Sequence, residues 1–449
     1  MKKITVILFV SLIISKIGIG QDNNHSCGTE VLNAQWEDEF QRLIKDFETS
    51  GHNKKLDSNH TNVIPVIFHV IHSGQSVGVF PNIDAGQVYS QIDVLNQDFN
   101  GIGENANTYP VTAFTSWAVN EGLPSANIDS LGRVKIGCLN VQFCPALYDT
   151  IGNILPEPGI HRVDYTTLGI ADPASFTTTT TLKPYLNSSL QPKTIWDVTK
   201  YLNIWVTDKN NAIMFTGVAS GPPLSGLTGL SGGIGTDTTD GIWLYAKVTG
   251  SPIIYPSGIY GNPNVRGRTA THEIGHWLGL KHIWGDAACA TDYCNDTPPA
   301  ASDNIGIPTY PHNIGTCSSP SNSPDGEMFM NFMDYTLDPY KYMFTTDQVT
   351  RMQTAILNSP FRNQLGTHGL CSAPLTINDL NFNDNISIYP NPATQELYFS
   401  KTTDAIVFEL SGKVAFSATN VDSINVSELN NGMYMLKTAD GSVTKFIKQ

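Results

Sequence analysis

The chain has 449 residues, with 26 Lys and Arg against 40 Asp and Glu and a formal net charge of −14. That length holds two or three domains and can bury a sizeable core. The acidic balance and low lysine content argue against nucleic acid as a partner; such a surface favours solubility, and it can also hold calcium or attract basic peptides.

In chain order, Met1-Lys2-Lys3 precedes an apolar run over residues 4–14, and Gly18 and Gly20 precede Gln21. This reads as a secretory signal over residues 1–20, too short and too weakly flanked for a stable membrane span. No later segment is long and apolar enough to be transmembrane. Export permits disulfides, so the seven cysteines are read in that light. Residues 21–60 are polar and read as a propeptide, with an amphipathic helix over 30–48. The apolar run over 63–71 is a buried strand that opens a domain over 61–372. Within it, His69 and His72 read as core or rim residues rather than metal ligands. Residues 86–99 suit a helix presenting Val88, Ile92, Val94 and Leu95 to the sheet. Further strands are expected at 133–138, 202–207 and 242–248. The last is read as the edge strand to which a bound peptide pairs through its main chain. Residues 216–240, rich in Gly, Ser, Thr and Pro, read as a loop.

Residues 272–282 read His-Glu-Ile-Gly-His-Trp-Leu-Gly-Leu-Lys-His. On a helix, His272 and His276 stand four apart and project from one face, so both nitrogens can hold one ion. Gly279 lets the chain leave the helix through backbone angles that other residues avoid. That exit brings His282 round as a third ligand. Three neutral nitrogens with an open fourth position describe a catalytic zinc site rather than a closed structural one. Glu273, beside the first ligand, is placed to accept a proton from the zinc-activated water. Downstream, Asn331-Phe332-Met333-Asp334-Tyr335 supplies a methionine for a tight turn beneath such a site. Tyr335 is positioned to donate its phenol to a developing oxyanion.

With these residues the chain resembles the pappalysin family of metzincin metallopeptidases over residues 61–372. The strings Asp296-Thr297-Pro298 and Met343-Phe344-Thr345 add to the likeness. The resemblance implies an α/β (α+β) metzincin catalytic domain, with a twisted mixed sheet and a zinc-binding active-site helix. It implies a zinc endopeptidase acting on protein or peptide substrates. It also implies a Cys289–Cys317 disulfide; the family's second bridge nearby would fall at Ile307 and Tyr340, neither a cysteine here. The pairing of Cys138, Cys144, Cys294 and Cys371 stays open. With an odd cysteine count, Cys27 is the expected leftover thiol. Lying in the propeptide, it either acts as a switch on the zinc or is incidental. Relatives bind calcium near the loop that carries Asp286, Asp292 and Asp296, whose oxygens suit that cation; solvated loop acids are the alternative. Asp338 matches a position that lines the primed-side pocket in some bacterial relatives and would favour Arg or Lys after the scissile bond. The alternative is an exposed aspartate.

Residues 373–449 change character, with short alternating strands at 386–389, 397–399, 405–408 and 433–436. Alternation alone supports a small all-β sandwich. Tyr389-Pro390-Asn391-Pro392-Ala393, Leu410-Ser411-Gly412-Lys413, Asn431-Gly432-Met433-Tyr434 and the closing Lys445-Phe446-Ile447-Lys448 resemble the type IX secretion sorting domain. That implies the secretion machinery as a partner and a secreted or cell-surface protein. A carbohydrate-binding or adhesive module is the rival for this unit. For the whole chain the rivals are a surface adhesin with a vestigial zinc site and a zinc hydrolase of non-peptide amides or esters.

Overall fold

The computed structural model describes residues 26–49, 62–224, 233–317, 323–371, 386, 388–409, 414–439 and 443–449. The signal over 1–20, residues 50–61 between the N-terminal helix and the strand that opens at Asn62, residues 225–232 of the expected loop and Leu410-Ser411-Gly412-Lys413 lie outside them. The chain divides into two compact units, Met1–Cys371 and Ser372–Gln449.

The first unit is built on a mixed sheet of seven strands: β1 (Ser26–Cys27), β2 (Asn62–His72), β3 (Val141–Pro145), β4 (Ile160–Asp164), β5 (Leu202–Thr207), β6 (Phe215–Ala219) and β7 (Ile242–Tyr245). Their order is β1-β6-β7-β5-β2-β3, and β4 takes the other half of the β2 edge that β3 begins. All pairs are parallel except β6 with β7. β2 reads as an unbroken apolar run because both of its faces are covered, as parallel central strands require. Pro65 is tolerated there because it pairs only with Cys144 of β3; contact with β5 starts one residue later, at Val66.

Among the described residues seven α-helices accompany the sheet: α1 (Ala34–Thr49), α2 (Ala85–Asp98), α3 (Thr115–Asn120), α4 (Thr179–Tyr185), α5 (Gln191–Thr194), α6 (Arg268–Trp277) and α7 (Thr346–Asn358). The main core joins Val66, Phe68 and Val70 of β2 to Val88, Ile92 and Leu95 of α2, and to Ala270, Ile274 and Trp277 of α6. On the sheet's other face, Ile71, Trp205 and Trp243 pack on Leu182, Leu186 and Leu190. Two buried glutamines of α2 hold the loop that leads to α6. Gln87 Nε2 donates to the carbonyls of Thr249 (3.0 Å) and Ile259 (2.9 Å), and Gln91 Nε2 to that of Gly267 (2.9 Å). These bonds satisfy backbone groups that burial would otherwise leave unpaired.

Three expectations need correction. Residues 133–138 form no strand; they make isolated bridges, Ile128 with Val134 and Ile136 with Thr345. Alternation in sequence was present without a partner strand long enough to extend it. The stretch expected to be loop contains β6, whose small residues hide a strand that runs beside the active-site helix. Finally, β7 is not the edge. It lies between β5 and β6 and ends in a short 3-10 turn over Ala246–Val248. Beyond β7 the sheet continues to β6, whose outer edge is occupied by the N-terminal strand β1.

The second unit is a five-stranded antiparallel sheet: β8 (Ile388–Tyr389), β9 (Glu396–Glu409), β10 (Val414–Asn425), β11 (Gly432–Thr438) and β12 (Val443–Lys448). The two strands expected at 397–399 and 405–408 are one long strand, β9. β10 follows it along both ends, with register shifts between Ala418 and Ser423. Leu397, Phe399, Ala405 and Val407 of β9 share the core with Leu436 and Phe446.

Candidate active site

The helix α6, which carries His272, Glu273 and His276, is held at both ends. At its start Gly267 adopts a φ of 76°, and the Asp338 carboxylate accepts hydrogen bonds from the N–H groups of Arg266 (2.9 Å) and Arg268 (3.1 Å). An anion there also complements the helix dipole. Arg268 is buried against Asp98 at 3.4 Å, and Asp98 accepts from the Thr271 hydroxyl at 2.8 Å. At its finish the Leu280 N–H bonds the Gly275 carbonyl and the Gly279 N–H bonds that of His276. This is the Schellman arrangement, with Gly279 at φ 86° in the left-handed position that favours glycine.

That exit closes the site. His272 Nδ1 lies 2.7 Å from the Phe332 carbonyl and His276 Nδ1 lies 2.9 Å from that of Leu280. A carbonyl only accepts, so each Nδ1 carries the proton and each Nε2 presents a lone pair. His282 is turned the same way by Asp286, at 2.5 Å from its Nδ1. The three Nε2 atoms then converge, with His276 Nε2 at 3.1 Å from His272 and 3.2 Å from His282. Burial first, and then neighbouring imidazoles, hold His272 well below its ordinary pKa and His276 down at about 3. Three neutral lone pairs facing one another repel unless a cation lies between them. Tetrahedral zinc at roughly 2.0–2.1 Å from each nitrogen would separate its ligands by about 3.3 Å, so the donor set fits zinc.

Among the described residues this is the one group of three or more ligand side chains, and its fourth member is Cys27. β1 brings Cys27 level with Gly217 of β6. Beside it the Glu273 carboxylate is buried and accepts from the Thr29 hydroxyl (2.7 Å) and the Cys27 thiol (3.4 Å). Burial pushes Glu273 up to about 7, against the hydrogen bonds from Thr29 and Cys27. A Cβ at Gly217 would come within 2.4 Å of Glu273 Oε1, so glycine is what lets the edge strand pass this close. Met333 is fully buried in a turn in which the Asp334 N–H bonds the Asn331 carbonyl. Its sulfur faces Gly275 of α6, where a Cβ would approach to 2.5 Å. Tyr335 places its hydroxyl 3.1 Å from His282 Nε2. His69 stays outside, bonded to His161 and Asn203 at 2.9 Å each.

Other expected positions fall elsewhere. Asp286 is committed to His282 rather than to a calcium loop; its spacing four residues after a ligand was the signal for that role. Asp292 accepts from the Thr297 hydroxyl at 2.8 Å, and Asp296 from Asn127 Nδ2 at 2.9 Å. Both are buried, which raises each to about 7; for Asp296 the neighbouring Asp347 adds to the rise. Asp338 is buried rather than exposed: one carboxylate oxygen is taken by the start of α6, and the other lies 3.6 Å from the Lys341 ammonium. Cys289 and Cys317 form a disulfide, and a second joins Cys144 to Cys371. Cys27, Cys138 and Cys294 are free, so the leftover thiols number three rather than one. Thr29 and Lys341, both at the site, carried no motif by which to be found.

A histidine pair on one helix, a third histidine beyond a glycine turn, an adjacent glutamate and a buried methionine turn define a metzincin-type metal site. The family model described as Pregnancy-associated plasma protein-A, peptidase M43, matches residues 186–357, and that of a secretion system C-terminal sorting domain matches residues 387–449. Mature mirolysin from Tannerella forsythia, solved with a cleaved peptide, is 30% identical. The match covers 70% of this chain and 99% of that one, with a TM-score of 0.52. A promirolysin mutant from the same organism is 29% identical over 78% of this chain and all of its own, with a TM-score of 0.55. Extracellular metalloprotease 1 of Coccidioides posadasii is 41% identical over 95 residues, 21% of this chain and 32% of its own length. An extracellular metalloprotease of Aspergillus fumigatus is 30% identical over 185 residues, 38% of this chain and 52% of its own length. The chain thus spans about a third to a half of the length of these curated relatives. It belongs to the pappalysin family of metzincin metallopeptidases. With its sorting domain, the protein is a secreted or cell-surface one. Among the described residues no helix is long and apolar enough to cross a membrane.

Proposed function

We propose that the protein is a secreted zinc endopeptidase held latent by its own N-terminal segment. The observation that carries this reading is the convergence of three Nε2 atoms beside a buried Glu273 at an edge strand. Zinc bound by His272, His276 and His282 would supply Lewis acidity, polarising a scissile carbonyl and acidifying water. A peptide adds to the edge of β6 through main-chain hydrogen bonds once β1 has left it. Glu273 then takes the proton of the attacking water and passes it to the leaving amine. Tyr335 donates its phenol to the charge that develops on the carbonyl oxygen. No acyl-enzyme is required.

In the precursor, β1 fills the edge, Cys27 stands at the fourth ligand position and Thr29 engages the general base. Cys27→Ala should therefore mature faster than the unmodified precursor; equal latency and equal maturation would remove the switch. Asp292 and Asp296 are proposed to share a calcium ion, with the Asp296 Oδ1 atom, buried without a hydrogen bond, as the oxygen that most needs a cation. Heat stability lost on chelation should return with calcium and not with zinc. The C-terminal unit is proposed to address the protein to its secretion machinery. The preference for Arg or Lys that Asp338 would give depends on what masks its carboxylate. To test the reading, the matured full chain is assayed for bound metal and for cleavage of a peptide library. Zinc content with chelator-sensitive cleavage supports it, and zinc without cleavage favours a binding protein.

A further inference from the structure

The cleft beside Glu273 has a cation in its wall. Lys341 lines it together with Thr216, Thr269, His272, Glu273 and Tyr335. Its side chain is only 5% exposed. Its ammonium makes two long contacts, 3.4 Å to the Asp334 carbonyl and 3.6 Å to Asp338 Oδ1. An ammonium has three donors, so Lys341 retains capacity for a further acceptor. Asp338 lies behind it, with its other oxygen taken by the Arg266 and Arg268 N–H groups. Any side chain entering from the cleft meets the ammonium before the carboxylate.

Thr216 fixes which part of a substrate this is. On β6 it precedes Gly217, against which Glu273 lies, while Ala219 is on the other side. A substrate strand is taken to run antiparallel to β6, opposite in sense to the parallel β1, which places the residue after its scissile bond on the Thr216 side.

We propose that Lys341 determines specificity in the pocket after the cleaved bond, masking Asp338 and selecting Asp or Glu over Arg or Lys. The proposal rests on the endopeptidase reading. A basic side chain there would face a like charge in a nearly dry wall, which disfavours it. An acidic one supplies the acceptor that the ammonium lacks, which is how buried polar groups discriminate.

The test uses the matured full chain and paired peptides differing only in the residue after the bond. The quantity read is the ratio of kcat/KM for Glu against Arg, because a general packing defect lowers both rates together. The unmodified enzyme is expected to favour Glu by roughly tenfold or more. Lys341→Met, similar in length and uncharged, is expected to unmask Asp338 Oδ1, while the other carboxylate oxygen stays on the Arg266 and Arg268 N–H groups, and so to reverse the ratio. Lys341→Arg should keep the original order. Should the Met variant fail to fold, Lys341→Gln, which keeps a donor for Asp338, should flatten the ratio. A preference for Arg in the unmodified enzyme, or the same ratio in both uncharged variants as in it, would overturn the proposal while leaving the peptidase intact. If no peptide is cleaved by the unmodified enzyme, the endopeptidase reading fails and the pocket assignment falls with it.

Discussion

Replacing Glu37 by alanine should release the propeptide helix far more than the loss of one polar side chain suggests. Glu37 of α1 meets Arg351 of α7 through two hydrogen bonds, 2.8 Å to Nη1 and 3.2 Å to Nη2. The side chains are 7% and 1% exposed. Arg351 also donates at 2.8 Å to the carbonyl of Gly279, where the chain leaves the zinc helix. Deleting one partner of a buried pair leaves the other charge uncompensated, at about 3–5 kcal/mol. When α1 undocks, Arg351 regains water, so nearly all of that cost falls on the docked state. The population of the open form should therefore rise by about two to four orders of magnitude. The alternative anchor is apolar: Trp36 and Phe40 are fully buried, and Phe40 lies against Gly279. The assay is amide hydrogen exchange across α1 in the full chain carrying Glu273→Ala, which removes self-processing. Exchange in α1 should accelerate about a hundredfold or more while that of β2 and β5 stays unchanged. Acceleration below about threefold would show that Trp36 and Phe40 dock the helix and that the ion pair merely accompanies them.

His69 should govern part of the acid sensitivity. Burial, then His161, lowers it from 6.5 to about 3. Between those pH values the unfolded chain binds a proton that the folded one refuses, so stability falls as pH drops through 6.5 toward 3. His69→Gln should reduce the stability lost between pH 7 and pH 4 by about 3 kcal/mol, read from urea midpoints; an unchanged loss would refute the assignment. The two disulfides should differ in worth because they close loops of different size, with sequence separations of 227 for Cys144–Cys371 and 28 for Cys289–Cys317. Loop entropy gives about 5 and about 3.5 kcal/mol respectively. Substituting each pair by serine and comparing denaturant midpoints should rank them in that order, and the reverse ranking would count against the entropic account.

What the sequence disclosed was what local spacing determines. His272, His276, Gly279 and His282 form a site within eleven residues, so the helix period and one left-handed glycine suffice. The strand β2 and the helices α1 and α2 were likewise legible from runs and periodicity within their own bounds. The failures are non-local. β6 is written in small residues because Glu273 crowds Gly217, a pressure visible only once the helix lies beside the strand. Whether β7 was an edge depended on β6, and β6 depended on a propeptide strand some 190 residues earlier. The Asp338 carboxylate was legible as an acid near the site, but not the Arg266 and Arg268 N–H groups and the Lys341 ammonium that engage it. Thr29 had no pattern at all; only its approach to Glu273 marks it. Asp286 is the exception, since a carboxylate four residues beyond a ligand is a local signal for orienting that histidine.

The most direct measurement compares the full chain with its Glu273→Ala variant, both matured by the same added protease, for bound zinc and for peptide cleavage. The three histidines are untouched by the substitution, so zinc should be present in both proteins. Cleavage should fall by about two to four orders of magnitude in the variant, the usual worth of a positioned general base. Equal cleavage by the two proteins, or full cleavage from protein that carries no metal, would contradict the account.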